Sequence, residues 1–142
     1  MPKIHKQIDI KAPAKKVFAY IDDPENDPEW MASMIEVKDV TGSGVGKRFN
    51  WTYKMAGVRL HGETKFTEEI PDKRLVVETK GGVESTWTFS LEPREDVTIL
   101  DLDIDYKIPV PVLGKLAEKV LTKRNEREAD MNLMNLKERL EK

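Results

Sequence analysis

The sequence predicts an α+β fold in which one antiparallel sheet of about seven strands lies against a long C-terminal helix, with two short helices after the first strand. Three observations carry this. Apolar and polar residues alternate with period two from residue 47 to residue 108. Residues 112 to 141 are helix formers with no glycine beyond Gly114 and no proline. Ahead of the alternating block, DDPENDPEW offers Asp-Pro twice.

Residues 3 to 11 read as the first strand, with Ile4, Ile8 and Ile10 on one parity. APAKKVFAYI then starts a helix at Pro13 and puts Val17, Phe18 and Ile21 on one face. In DDPENDPEW each Asp can cap a helical turn whose first position the following Pro fills, which predicts a second short helix near 24 to 30. Residues 34 to 40 suit a short strand.

TGSGVGK leads into the alternating block, where Phe49, Trp51, Tyr53 and Met55 share one face. Ala56-Gly57 turns the chain, and Val58, Leu60, Gly62, Thr64 and Phe66 carry the face back. Pro71-Asp72 marks another turn before Leu75 and Val77, and Gly81-Gly82 a hairpin. Val83, Ser85, Trp87, Phe89 and Leu91 are the inward set of the next strand; Leu100, Leu102, Ile104, Tyr106 and Ile108 that of the last. IPVPVLG stops the sheet, since proline cannot serve a central ladder.

The long helix has one apolar stripe in its first half, Leu113, Leu116, Ala117 and Val120. Its second half has two: Met131 and Met134 extend the first, while Ala129, Leu133, Leu136 and Leu140 lie roughly opposite. Two apolar sides predict a C-terminal half clamped between the sheet and the short helices.

At 142 residues, 39% hydrophobic and 35% charged, the chain reads as one globular domain over 1–142. A net charge of −2 and pI near 5.8 argue against nucleic-acid binding. No apolar run is long enough to span a membrane, and MPKIHKQIDI lacks the apolar centre of a signal peptide, so a cytoplasmic location is expected. The absence of cysteine excludes disulfides and thiolate chemistry.

This element order, with aromatic-lined strands and a closing helix, resembles the START-like superfamily. That superfamily, also called SRPBCC, includes polyketide cyclase/dehydrase-type proteins, lipid-transfer domains and the birch-pollen allergen. The residues that carry the likeness are IKAPAKKVFAYIDDPENDPEW, GVGKRFNW, ESTWTFSLEP and NEREADMNLMNLKERLE. The first is the most specific, matching a family opening of the form I-x-A-P-x-x-V-F-x-x-I-x-D-P that leads to a tryptophan. The resemblance implies a helix-grip fold, in which a curved antiparallel sheet wraps the long helix around an apolar cavity. It does not imply one activity, because the superfamily mixes carriers, sensors, cyclases and oxygenase subunits.

Several motifs have plainer readings than their first appearance. A phosphate loop needs G-x-x-x-x-G-K-[ST] followed by a helix; here Thr41 stands five before Gly46, Arg48 follows Lys47, and a strand comes next. TGSGVGK is therefore a hairpin turn, from which Lys47 should be removable with little effect on the fold. In DLDIDY the acids alternate with Leu102, Ile104 and Tyr106, which strand periodicity explains without calcium. His5 and His61 fall at surface parity and offer no metal site, and no G-x-S-x-G elbow is present.

The aromatic face is the feature left over. Trp51, Tyr53, Phe66, Trp87, Phe89 and Tyr106 either pack a dry core or line a cavity. Their indole and phenol groups favour the cavity, as do Thr64 and Ser85 on the same face. Arg124 falls between Val120 and Met131 with Glu128 one turn on; it either reaches solvent along an edge or enters the cavity, paired with Glu128 or holding an acidic or phenolate oxygen.

The expected function is to bind an apolar or amphipathic small molecule (lipid, fatty acid, isoprenoid or aromatic polyketide) between sheet and C-terminal helix. The expected ligand-binding residues are Trp51, Tyr53, Thr64, Phe66, Ser85, Trp87, Phe89, Tyr106, Val120, Arg124 and Glu128, with no cofactor, no metal and no integral membrane association. The alternative is a polyketide cyclase/dehydrase-type enzyme in the same cavity, in which Arg124, Glu128 or a tyrosine polarises carbonyls or moves protons. A third class is a module whose ligand alters a partner-binding surface.

Overall fold

A computed structural model describes residues 2–55, 57–107 and 118–142. Its strands are β1 (Lys3–Ile10), β2 (Met34–Thr41), β3 (Arg48–Met55), β4 (Val58–Ile70), β5 (Arg74–Gly81), β6 (Glu84–Arg94) and β7 (Val97–Lys107). Its helices are α1 (Ala14–Asp22), a 3-10 turn (Pro24–Asn26), α2 (Asp27–Trp30) and α3 (Glu118–Leu140). The strands form one antiparallel sheet in the order β1-β7-β6-β5-β4-β3-β2. Strands β2 to β7 are a meander, and β1 pairs with the free side of β7, so α1 and α2 carry the chain from one sheet edge to the other. This is the helix-grip architecture.

The period-two pattern sets the inner face. Phe49, Trp51, Met55, Leu60, Phe66, Leu75, Phe89, Leu91, Leu100, Leu102, Ile104 and Tyr106 are all buried there. Val17, Phe18 and Ile21 of α1 close one end of the same core. Asp23 caps the 3-10 turn by accepting from the Glu25 N–H at 3.0 Å, with Pro24 in first position. The second Asp-Pro works differently. Asn26 precedes α2 and makes no side-chain cap, and Asp27 is buried among the helices instead.

The two-sided reading of the long helix is corrected. In α3, Leu121, Ala129, Leu133, Leu136 and Leu140 are buried, but Val120, Met131 and Met134 are exposed. Met131 lies half a turn around the helix from Leu133 and Leu140, which is the solvent side. The short helices meet the flank of the buried face: the Ala32 N–H donates to Asn132 Oδ1 at 2.9 Å, and Asn135 Nδ2 to the Trp30 carbonyl at 3.3 Å. The chain end is tied down where the Lys11 N–H meets Glu141 Oε2 at 2.8 Å and Lys16 Nζ meets the Leu140 carbonyl at 2.9 Å. Ala56, Ile108, Leu113, Leu116, Ala117 and the IPVPVLG stop lie outside the described residues.

The glycine turn is a turn, and Gly42, Gly44 and Gly46 take φ of 81°, 62° and 96°, a region that favours glycine. Lys47 does not behave as a solvated turn residue. It shares parity with Phe49 and Trp51, so its side chain enters the fold. There Nζ donates to the Asp22 carbonyl at 2.7 Å, lies 3.3 Å from Asp22 Oδ1 and sits 4.6 Å from the Phe66 ring centre. The turn is thereby fastened to the end of α1, and the expectation that Lys47 is dispensable fails.

Candidate functional site

Between sheet and helices lies a cavity of about 110 Å3. Strands β3 to β7 supply its wall, α2 and the residue after it one end with Asp27, Trp30 and Met31, and α3 its roof with Asn125, Glu128, Ala129 and Asn132. Gly62, opposite Trp51, has no side chain, which leaves room for the indole. A Cβ there would stand 2.3 Å from Trp51 Cζ2 and 2.3 Å from the Lys80 carbonyl oxygen, so the indole lies against bare backbone. Edge-on contacts fix the other rings, with Trp30 and Phe89 centred 6.3 Å apart at 75° and Trp51 and Tyr53 6.4 Å apart at 82°.

Nine of the eleven expected site residues line this cavity: Trp51, Tyr53, Thr64, Phe66, Ser85, Trp87, Phe89, Tyr106 and Glu128. Two do not. Val120 is 68% exposed, because it belongs to the solvent side of α3. Arg124 sits at the rim, beside the cavity rather than in it, with its side chain 31% exposed. Its guanidinium bonds Glu128 Oε2 at 2.7 Å and Asn125 Oδ1 at 2.9 Å from Nη1, and Ser33 Oγ at 3.1 Å from Nη2. Of the two placements open in the sequence, the structure shows an edge residue that is nevertheless paired.

Glu128 is 6% exposed and is met from both sides. Arg124 supplies the cation, and the Tyr53 hydroxyl donates to Glu128 Oε1 at 3.0 Å. Burial, then the charge of Glu128 and the hydrogen bond to it, push Tyr53 well above the usual phenol range. Tyr53 therefore stays protonated. A second relay runs along the wall: the Trp87 indole N–H donates to Ser85 Oγ at 3.1 Å, Ser85 meets Thr79 Oγ1 at 2.6 Å, and Thr79 donates to the Val83 carbonyl at 2.8 Å. These groups are satisfied within the wall.

Two others are not. Among the described residues, Trp51 Nε1 and the Tyr106 hydroxyl are buried without a hydrogen-bond partner, and both residues line the cavity. At the α2 end the Trp30 indole faces Asp27. Burial pushes the Asp27 carboxyl well above the usual carboxylate range and Asp23 adds to the shift, while the hydrogen bond from the Trp30 indole and the charge of Lys47 pull it back.

In the sequence Asp27 is hidden by its resemblance to a helix cap. Trp30 closes the family-like opening motif, which marks it as part of the fold and gives no sign that it faces a site. Asn125 and Asn132 stand three before and four after Glu128, the helical spacing that places them on its face. Thr79 continues the parity of Leu75 and Val77. Among the described residues no group of three His, Cys, Asp or Glu side chains could hold a metal ion, and no helix is long and apolar enough to cross a membrane.

The family described as "Polyketide cyclase / dehydrase and lipid transport" matches residues 1–141. No curated protein matches the chain. Among solved structures, TTHA0849 from Thermus thermophilus superposes with a TM-score of 0.84 at 20% identity, covering 98% of this chain and 97% of that one. The Zhui aromatase/cyclase from Streptomyces sp. R1128 gives 0.77 at 14%, covering 98% and 93%. The Aha1 dimer from Colwellia psychrerythraea gives 0.65 at 21%, covering 99% and 97%. At these identities the likeness is one of fold.

Proposed function

Because the chain belongs to the polyketide cyclase/dehydrase and lipid transport family, we propose that it binds an apolar or amphipathic small molecule, a lipid, fatty acid, isoprenoid or aromatic polyketide, in the cavity under α3. The observation that carries this reading is the pair of unpartnered polar atoms, Trp51 Nε1 and the Tyr106 hydroxyl, on residues that line an otherwise mostly apolar space. Each such group costs about 1–3 kcal/mol when buried and unmet. A folded protein that tolerates both beside one cavity gains from an occupant carrying oxygen acceptors. A space of this size takes several waters, and a ligand as large as a substituted ring enters it only as the surrounding side chains give way.

A cyclase/dehydrase-type reaction is the second reading, favoured by the Tyr53–Glu128–Arg124 relay at the roof. A protonated Tyr53 beside a paired carboxylate can donate a hydrogen bond to a carbonyl. Against catalysis stands the same pairing, since Glu128 is committed to Arg124 and Tyr53 and is not a free base.

Titration with Nile red, a neutral environment-sensitive dye, tests the cavity. Saturable binding near one to one is expected, and Trp87→Ala, on the wall, should weaken it far more than Thr88→Ala on the outer face. Equal losses, or no saturation, would end the proposal. Native mass spectrometry separates the two readings: a carrier returns an added ketide unchanged, whereas a dehydrating cyclase returns it lighter by one water.

A further inference from the structure

Among the described residues, the cations beside the cavity are already committed. Lys47 is held by Asp22 and lies over Phe66, and Arg124 is bound to Glu128, Asn125 and Ser33 at the rim. No Lys, Arg or His stands among the cavity-lining residues described, but two acids do, Asp27 and Glu128. The unmet polar groups are the Trp51 indole N–H and the Tyr106 phenol. An indole N–H can only donate, so its missing partner is an acceptor.

Resting on the cavity-binding reading above, we infer that the site selects uncharged ligands carrying acceptor oxygens and turns away carboxylates. This narrows the ligand class: a fatty alcohol, ester or ketone fits, and a fatty-acid anion does not. A carboxylate entering the cavity would give up its hydration and find no free cation among the described residues, while meeting the Tyr53–Glu128 pair at the roof. A ketone or ester gives up far less and still offers lone pairs to the Trp51 indole. Asp27 works in the same direction. Burial, with the charge of Asp23 beside it, holds its carboxyl toward the proton-carrying form against the pull of the Trp30 indole and Lys47, and in that form it donates to an oxygen rather than recruiting a cation.

The test compares four probes of matched ring size by calorimetry at neutral pH: 1-acetonaphthone, 1-ethylnaphthalene, 1-naphthoate and 1-naphthylmethylammonium. The ketone should bind tightest, roughly fivefold tighter than the oxygen-free hydrocarbon and at least about thirtyfold tighter than the carboxylate. In Asp27→Asn the ketone-to-carboxylate ratio should stay within about twofold, since one uncharged donor has replaced another. The wild-type ranking alone decides the matter if that variant does not fold. Carboxylate binding equal to that of the ketone overturns the charge selection, as does an ammonium probe that binds best, and either result leaves cavity binding intact. If neither the ketone nor the hydrocarbon binds, the cavity reading itself has failed and this inference falls with it.

Discussion

Replacing Arg124 by methionine keeps much of its stem and removes the group that makes a buried carboxylate tolerable. Glu128 would lose its only ion-pair partner among the described residues, at 2.7 Å, and Ser33 Oγ would lose a donor at 3.1 Å. Removing one partner of a buried pair costs about 3–5 kcal/mol. Two features lower that figure here. Arg124 is 31% exposed, so solvent already screens the pair, and the Tyr53 hydroxyl still donates to Glu128. A loss of about 2–3 kcal/mol follows, which lowers Tm by roughly 4–12 °C at this chain length. Urea unfolding followed by tryptophan fluorescence measures it, with an unchanged m-value expected. The double variant Arg124→Met/Glu128→Gln should recover about 1–2 kcal/mol of the loss, because no charge is then stranded. A single-variant loss below about 0.5 kcal/mol, or a double variant no more stable than the sum of the singles, would refute this account of how Glu128 is sustained.

Two further outcomes are expected. In Gly62→Ala the new methyl must displace Trp51 or the backbone at Lys80, 2.3 Å away in each case, which should cost about 1–3 kcal/mol and reduce Nile red binding as the indole moves into the cavity; an unshifted Tm would show that the strand has room. Glu69 is pushed up from 4.5 to about 7 by its hydrogen bond with Asp22, by burial and by the Asp22 charge, against the pull of Lys47. The folded state then holds a proton the unfolded chain has released. That share of stability is complete below about pH 4.5 and is lost as pH rises toward about 7. Glu69→Gln should flatten this part of the profile, and urea midpoints that fall in parallel for both proteins would count against it.

The sheet is readable because period two has one solution once a face is apolar: each strand from β3 to β7 falls where the alternation of residues such as Phe49, Trp51 and Tyr53 puts it. The helix is less readable. Apolar residues on two sides of α3 suggest two contacts, yet periodicity cannot say which side meets protein, and the Met131–Met134 side meets water. Lys47 shows the opposite error. Glycines around it suggest a flexible turn, while its parity with Phe49 points inward to Asp22. At the site, aromatic parity finds most of the wall, whereas Asp27 is concealed because a buried aspartate and a helix cap look alike in an Asp-Pro step. Arg124 cannot be placed from sequence, since its long stem reaches cavity or rim from one Cα.

The pairing of β1 with β7 also shapes how the protein comes to be folded. His5 and Asp103 touch across this seam although 98 residues separate them. Strands β2 to β6 can zip together from hairpins as they are synthesised, but β1 has no neighbouring strand until β7 exists. Contacts of such sequence separation slow the final step, because the ends of a long loop must meet before anything is gained. Helix α3 comes last and lies on β1 and α2, so during synthesis the inner face of the meander stands open before its cover exists. Greasy molecules in the surrounding fluid have their easiest access in that interval, and chaperones have their clearest target.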